Sequence, residues 1–373
     1  MGKAINIGVS NVARKGKAGW IGVANVARKI KKAWIGVAGI ARLFYSGIGT
    51  LSYYGVTSSP LQLAREYFAS ASVGDYALFA GGQRSDVSGV YGYVDAYNSS
   101  LTRSSATSLW KGVKCLAGTQ IGAYALFAGG STVCNSYGDC IATVNAYDST
   151  LTRTLPTDLS VARQKFTAGA VGDYAVFAGG EKWYGGYCNT VDAYDSSLTL
   201  TSGLTLSANK SQHASASVGN YVLFGGGYNN SILASVEAFD SSLTRVSVDD
   251  LNCAGWGVSG ADNGEYALFV GGAGGDNSTT ATAYNKSLTK ISAPSTSVNV
   301  LSAYNGCGGS LNGYAVFPAQ SSKVAFVYDQ SLTLSTYTMD YNCAHNGAIA
   351  GEYLLFSQGT TSTSNTSVFH LNN

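Results

Sequence analysis

The chain has 373 residues, of which 45% are hydrophobic and 12% charged, with 47 glycines, 25 tyrosines and only four prolines. That apolar share excludes a disordered chain, and the abundance of Gly, Ser, Thr and Tyr at low charge describes a packed β protein with a polar surface. The formal net charge of +2 hides an asymmetry: residues 1–47 hold nine Lys/Arg and no acid, leaving 14 basic against 21 acidic residues in the remainder.

Residues 1–47 contain a fourteen-residue repeat. Ile7-Gly8-Val9, Ile21-Gly22-Val23 and Ile35-Gly36-Val37 are each followed by Val-Ala-Arg or Ile-Ala-Arg (Val12-Ala13-Arg14, Val26-Ala27-Arg28, Ile40-Ala41-Arg42). The first two units close on Trp20 and Trp34. Glycines among β-branched residues favour short strands and turns over a helix. A module this short cannot bury its own apolar face, so it reads as a docking or oligomerisation module, with Trp20, Arg28, Lys29, Lys31, Lys32, Trp34 and Arg42 as its candidate contacts. A basic arm for nucleic acid or an anionic membrane is the rival, but such an arm needs charge and not register, so nucleic acid is disfavoured. The apolar run Ala33–Ala41 mimics a signal peptide, yet it is the third copy of a repeat and begins more than thirty residues in. No stretch is long enough for a membrane span.

The run Ala27-Arg28-Lys29-Ile30-Lys31-Lys32-Ala33-Trp34-Ile35-Gly36-Val37 resembles repeats that open structural and tail-associated proteins of phages infecting Gram-positive bacteria. The resemblance covers about the first 47 residues. It implies a virion protein, made in the host cytoplasm and exposed on the particle, that contacts other virion proteins through residues 1–47.

From residue 48 onward the chain repeats a Gly-x-Tyr-(Ala/Val/Leu)-(Leu/Val)-Phe phrase anchored by Tyr76, Tyr124, Tyr174, Tyr221, Tyr266, Tyr314 and Tyr353, near fifty residues apart. A period of that size with four strands per unit predicts a β-propeller over 48–373. In the fourth unit the strands are expected at His213–Val218, Tyr221–Gly226, Ala234–Phe239 and Leu243–Val248. Tight-turn chemistry joins the third to the fourth, as in Tyr147-Asp148-Ser149-Thr150-Leu151-Thr152 and Tyr194-Asp195-Ser196-Ser197-Leu198-Thr199. The last unit stops at Val368-Phe369-His370, a third strand, and Leu51-Ser52-Tyr53-Tyr54 aligns with a fourth. The N-terminal strand is therefore expected to complete the last of seven blades and remove an exposed edge.

Paired glycines end the second strand (Gly81-Gly82, Gly129-Gly130, Gly179-Gly180, Gly226-Gly227, Gly271-Gly272), and a Tyr follows in the third. This is similar to the kelch pattern, which implies a circular, latched propeller. The chain departs from it where kelch units place Trp in the fourth strand: Leu101, Leu151, Leu198 and Leu243 stand there instead. The fold class is thus all-β, a seven-bladed kelch-like propeller preceded by a small β-rich basic module.

Alternating strand direction puts the first-to-second and third-to-fourth turns on one face, nearly uniform in sequence. The other loops form a variable face, reading Gln83–Tyr93, Ser131–Cys140, Glu181–Tyr187, Tyr228–Ser231 and Ala273–Ser278 between second and third strands. They supply Arg84, Asp86, Tyr91, Asn135, Tyr137, Asp139, Lys182, Trp183, Tyr184, Tyr187, Tyr228, Asn229 and Asn230, with Trp110 and Trp256 from the loops between blades. Aromatics mixed with Asn and Asp describe a recognition surface that suits a host surface glycan or protein; the plainer reading is the loop composition of a Tyr-rich chain. Because the latch strand starts from the uniform face, the basic module is expected there, opposite the variable loops.

Enzymatic chemistry finds little support. The three histidines, His213, His345 and His370, are well separated along the chain, and no Ser-x-Asp-x-Gly-x-x-Trp turn of the sialidase kind occurs. Asp86, Asp139, Glu181 and Asp276 lie in variable loops, so a glycosidase remains an alternative alongside a purely structural virion protein. The seven cysteines form no zinc-ligand spacing; Cys134 and Cys140 share one loop and could bridge, although scattered thiols are the simpler reading. No cofactor or metal is expected.

Overall fold

The computed structural model describes residues 20–23, 26–29, 32–37, 40–46, 49–134, 139–274, 279–300, 307–343, 345–358 and 363–372, with residues 20–46 described by backbone alone. The chain divides into two compact units, Met1–Leu51 with Leu371–Asn373, and Ser52–His370.

In the first unit the fourteen-residue repeat folds as a β-hairpin. Trp20–Val23 pairs antiparallel with Val26–Lys29, and Lys32–Val37 with Ile40–Ser46. Both hairpins use one register: Ile21 faces Arg28 as Ile35 faces Arg42, and Val23 faces Val26 as Val37 faces Ile40. The period of the sequence is therefore one strand out and one strand back.

The second unit is a seven-bladed β-propeller, each blade a four-stranded antiparallel sheet. Blade 1 runs Ala69–Val73, Tyr76–Ala80, Val94–Tyr97 and Arg103–Ser105; blade 3 runs Thr167–Val171, Tyr174–Ala178, Thr190–Asp195 and Leu200–Thr205. First strands of successive blades lie side by side, so they form the inner ring. Small residues permit that crowding. A side chain on Gly118 would meet the Ser70 carbonyl 2.6 Å away. Hydroxyls tie neighbouring first strands, Ser215 Oγ donating to the Ala168 carbonyl and Ser217 Oγ to that of Ala170, both at 2.7 Å.

Blade 7 is assembled from both ends of the propeller sequence: Ala348–Ala350, Tyr353–Ser357 and Thr366–Asn372, with Thr50–Val56 as its outer strand. The latch is held by more than strand pairing. The Tyr53 hydroxyl donates to Asp340 Oδ2 at 3.0 Å, and its ring meets Phe369 edge-on at 5.3 Å.

The turns between third and fourth strands correct one expectation. Leu101, Leu151, Leu198 and Leu243 do not begin the fourth strand; with Leu288 and Leu332 they sit in the turn itself, at φ between 59° and 63°. Each turn is built by an Asx side chain: Asp195 Oδ1 accepts the amides of Ser197 and Thr199 at 2.8 and 2.9 Å, and Asp148, Asp240, Asn285, Asp329 and Asn98 repeat the arrangement. The left-handed residue pays off across the seam. Leu151 of blade 2 packs on the Tyr76 cluster of blade 1, Leu198 on that of Tyr124, and Leu288 on that of Tyr221. The uniform face repeats because six of the seven blades end this turn on the same leucine knob, set into the seam with the blade before.

The diglycines serve the opposite face. Gly180 has φ +110°, and its amide donates to the Lys210 carbonyl of the next blade at 2.8 Å; a Cβ there would sit 2.8 Å from the Gln164 carbonyl oxygen. Gly82, Gly130 and Gly227 make the same inter-blade bond at 2.7–2.9 Å.

Candidate functional site

Beneath the loop face blades 1 to 5 each carry a polar tie. A residue near the start of the third strand accepts an amide from the preceding inter-blade loop: Asp95 from Gln62, Asn145 from Trp110, Asp192 from Ser160, Glu237 from Ser207, and Thr282 from Asn252. In blades 1 and 3 that acid also meets a fully buried arginine, Arg65–Asp95 and Arg163–Asp192, each at 2.7 Å. Blade 4 uses Lys210 and Glu237 at 3.5 Å, where burial pulls the ammonium down against the pull of Glu237. Blade 2 replaces the pair with Val113 and Asn145, both buried. These groups hold the loops at fixed height.

A second layer pairs the loop before each first strand with the loop after the second strand, through the bridges Glu66–Gln83, Lys114–Ser131, Gln164–Glu181, Ser211–Tyr228 and Trp256–Ala273. Blades 1 and 3 swap partners: Gln83 Nε2 donates to Glu66 and Gln164 Nε2 to Glu181, at 3.0 and 3.1 Å. Just inside them runs a ring of left-handed residues that sequence reasoning missed, Tyr67, Cys115, Lys165, Gln212 and Gly257, at φ 52–62°. From Cys115 onward the amide of each donates to the carbonyl of the one before at 2.8–3.0 Å, tying blades 1 to 5 together. No single residue type marks that position, so no motif announced it. A cavity of about 10 Å³, the room of one water, lies between Phe68, Ser70, Leu116, Phe166, Thr167 and His345.

The predicted acids are largely committed. Glu181 is buried and paired with Lys165 Nζ at 2.7 Å, which corrects its reading as a loop acid open to glycosidase chemistry: it belongs to the scaffold. Arg84 binds Asp86 and holds that carboxyl below the usual range. Asp139 is exposed, and Asp276 lies outside the described residues. His213 is buried, and that burial, with the nearby Lys210 charge adding to it, pushes its pKa down to about 3. Cys134 and Cys140 are not bridged to each other; Cys134 Sγ donates to the Arg84 carbonyl at 3.6 Å and Cys140 Sγ to that of Glu181 at 3.8 Å.

The predicted aromatics separate into two groups. Trp183 and Tyr184 are 51% and 84% exposed and stack on each other, centroids 4.6 Å apart at 18°. Tyr184 is held at φ 65°, ψ 23°, a left-handed conformation in a bulky, solvated residue beside exposed Lys182. Trp110 is 58% exposed under the Arg153 guanidinium, 5.6 Å from its ring. Half-buried rings brace the surface between these: Tyr91 stacks on Tyr93 at 5.5 Å, and Tyr187 meets Tyr228 at 5.9 Å. Tyr93 was absent from the predicted set, although Tyr91-Gly92-Tyr93 shows it in sequence. Trp256 is half-buried, its amide donating to the Ala273 carbonyl at 3.1 Å, and so contributes to the scaffold. Asn229 Nδ2 donates to the Asn209 carbonyl at 3.0 Å, and Asn230 is exposed. Asn135 and Tyr137 lie outside the described residues. So does Lys31, while Trp20, Arg28, Lys29, Lys32, Trp34 and Arg42 fall on hairpin strands described by backbone alone.

No family model matches the sequence, and no curated protein does. Among solved structures the chain is similar to YjhT, with a TM-score of 0.54 at 10% identity, covering 83% of this chain and 95% of that one. The likeness is one of fold. It supports the propeller and carries nothing about ligand or activity.

Proposed function

We propose that this is a non-enzymatic binding protein whose propeller recognises a surface glycan through the loop face, while residues 1–47 dock it to other subunits. The carrying observation is the Trp183–Tyr184 pair: two large rings stacked on each other, both exposed, one of them in a strained backbone conformation. Large aromatic rings kept in water together are what a binding surface displays, and exposed aromatic faces suit the apolar faces of sugar rings. The pairing of Asp86 with Arg84 and of Glu181 with Lys165 favours binding over glycoside hydrolysis, which needs two carboxyl groups poised around the scissile bond.

The resemblance of the basic repeat to phage structural proteins supports a virion component displayed toward a host. The common hairpin register supports docking, since a two-stranded hairpin is marginal alone and gains stability from a partner strand or a second copy. The test uses the fluorescent full-length chain on Gram-positive cells before and after removal of wall glycans. Saturable binding that disappears on stripping, and that falls about tenfold or more in a Trp183→Ala/Tyr184→Ala variant, is the expected result. Binding untouched by stripping or by the variant would refute the glycan reading.

A further inference from the structure

Resting on the docking half of that reading, we infer that the partner of the basic module is a second copy of this chain, which receives it on the uniform face of its propeller. That face is a continuous surface, because a turn of one blade sits against a turn of the next. A Cβ on Gly74 would lie 3.1 Å from Ser149 Cβ, one on Gly122 3.2 Å from Ser196 Cβ, and one on Gly172 2.9 Å from Ser241 Cβ. The face also carries charge of one sign. Asp75, Asp148, Asp173, Asp195, Asp240 and Asp329 lie in its turns, and among the described residues none of the six has an ion-pair partner. Lys286 of the same face is committed to Glu265 at 2.8 Å. The basic residues that open the outer strands do not offset the charge, because they reach toward the opposite face. Arg153 donates to the Ser108 carbonyl and Lys290 to that of Asp250, both in loops between blades.

The fold does not ask for this charge. The third-to-fourth turns need only an Asx oxygen, and Asn98 and Asn285 build without charge the turn that Asp148, Asp195, Asp240 and Asp329 build with it. At the position of Asp75 and Asp173, blades 2 and 4 carry Ala123 and Asn220. Charge that the turns can do without is available to a partner, and that partner must be basic. Residues 1–47 hold nine Lys/Arg and no acid, so one module repels another and calls for a surface of opposite sign. The propeller of the same chain displays one. The latch strand enters blade 7 at the same end of the blade, where Asn372 Nδ2 donates to the Thr50 carbonyl at 3.3 Å. Two copies with these faces opposed therefore exchange modules, each laid on the other's turns, and the exchange closes as a two-fold dimer.

Sedimentation velocity on the full-length chain, at about 50 and about 500 mM salt, tests this beside two full-length variants. One is Asp148→Asn/Asp195→Asn/Asp240→Asn/Asp329→Asn, which copies the turns of blades 1 and 5 and so keeps the fold. The other is Arg28→Gln/Lys29→Gln/Lys32→Gln/Arg42→Gln, and thermal transitions matching the parent's establish that both fold. The expected result is a dimer at low salt whose Kd weakens about tenfold or more at high salt and in each variant. A monomer under all conditions overturns the second-copy inference and leaves docking to a different subunit standing. A dimer weakened by the Gln changes alone overturns the uniform face as the receptor, again leaving the module its docking role. A dimer that the Gln changes leave intact overturns docking through the module itself.

Discussion

At the scale of single residues, the buried charges are the most consequential groups. Arg163 and Asp192 are wholly buried 2.7 Å apart, and truncating one strands the other. Asp192→Ala is expected to cost about 3–5 kcal/mol in denaturant unfolding. Blade 2 shows the alternative, Val113 with Asn145, so the double change Arg163→Val/Asp192→Asn should recover most of that loss. A double variant no more stable than Asp192→Ala would show the pair to be irreplaceable. His213 gives a pH signature. Its pKa is about 3 when folded against 6.5 ordinarily, so below pH 6.5 the unfolded chain binds a proton that the folded chain does not. Stability from this residue therefore falls as pH drops from 6.5 toward 3, by at most about 1.4 kcal/mol per pH unit. His213→Phe, the residue that Phe68 and Phe166 provide in blades 1 and 3, should remove that slope in an acid titration of unfolding, and an unchanged slope would place the proton elsewhere.

Among elements, the turns store the strain. A leucine at φ 62° in the blade 2 turn is held there because its side chain fills the seam to blade 1. Leu151→Ala loses the knob and keeps the strain, whereas Leu151→Gly loses the knob and releases the strain. Glycine should therefore be the better tolerated by about 1 kcal/mol, the reverse of the usual order in a regular element. The diglycine supplies the converse case. Gly180→Ala places a Cβ at φ +110° against the Gln164 carbonyl, and should cost about 1–3 kcal/mol from backbone strain alone. Thermal unfolding of these three variants decides both points.

For the whole molecule, closure is the controlling feature. Thr50–Val56 is the outer strand of blade 7 and pairs with Thr366–Asn372, so the ring is shut by residues more than 300 positions apart. Removing residues 1–56 should leave a three-stranded blade with a bare edge. The expected outcome is earlier, less cooperative melting and fast hydrogen exchange at Thr366–Asn372, while a chain starting at residue 48 melts as the full-length protein does. Equal exchange in the two truncated chains would mean that blade 7 stands without its latch.

How much of this was legible follows from the range of each interaction. The seven Tyr phrases, the diglycines and the Asp-Ser-Ser-Leu-Thr runs are local signals, set by backbone geometry that recurs within one blade, and they determined blade number, strand order and the latch. The fourteen-residue period likewise determined short paired strands in residues 20–46. What lay between blades was not legible. That Leu198 is a turn residue serving the neighbouring blade, and that Tyr67, Cys115, Lys165 and Gln212 share one left-handed ring, depend on residues some fifty or more positions away in sequence, while Glu181 is a buried scaffold acid because Lys165 reaches it across the first two strands of its own blade. The same holds for the loop face. Sequence named its aromatics, but only the packing of one blade against the next separated exposed Trp183 and Tyr184 from Trp256 in the scaffold, because exposure is set by the neighbours a side chain meets and not by its own identity.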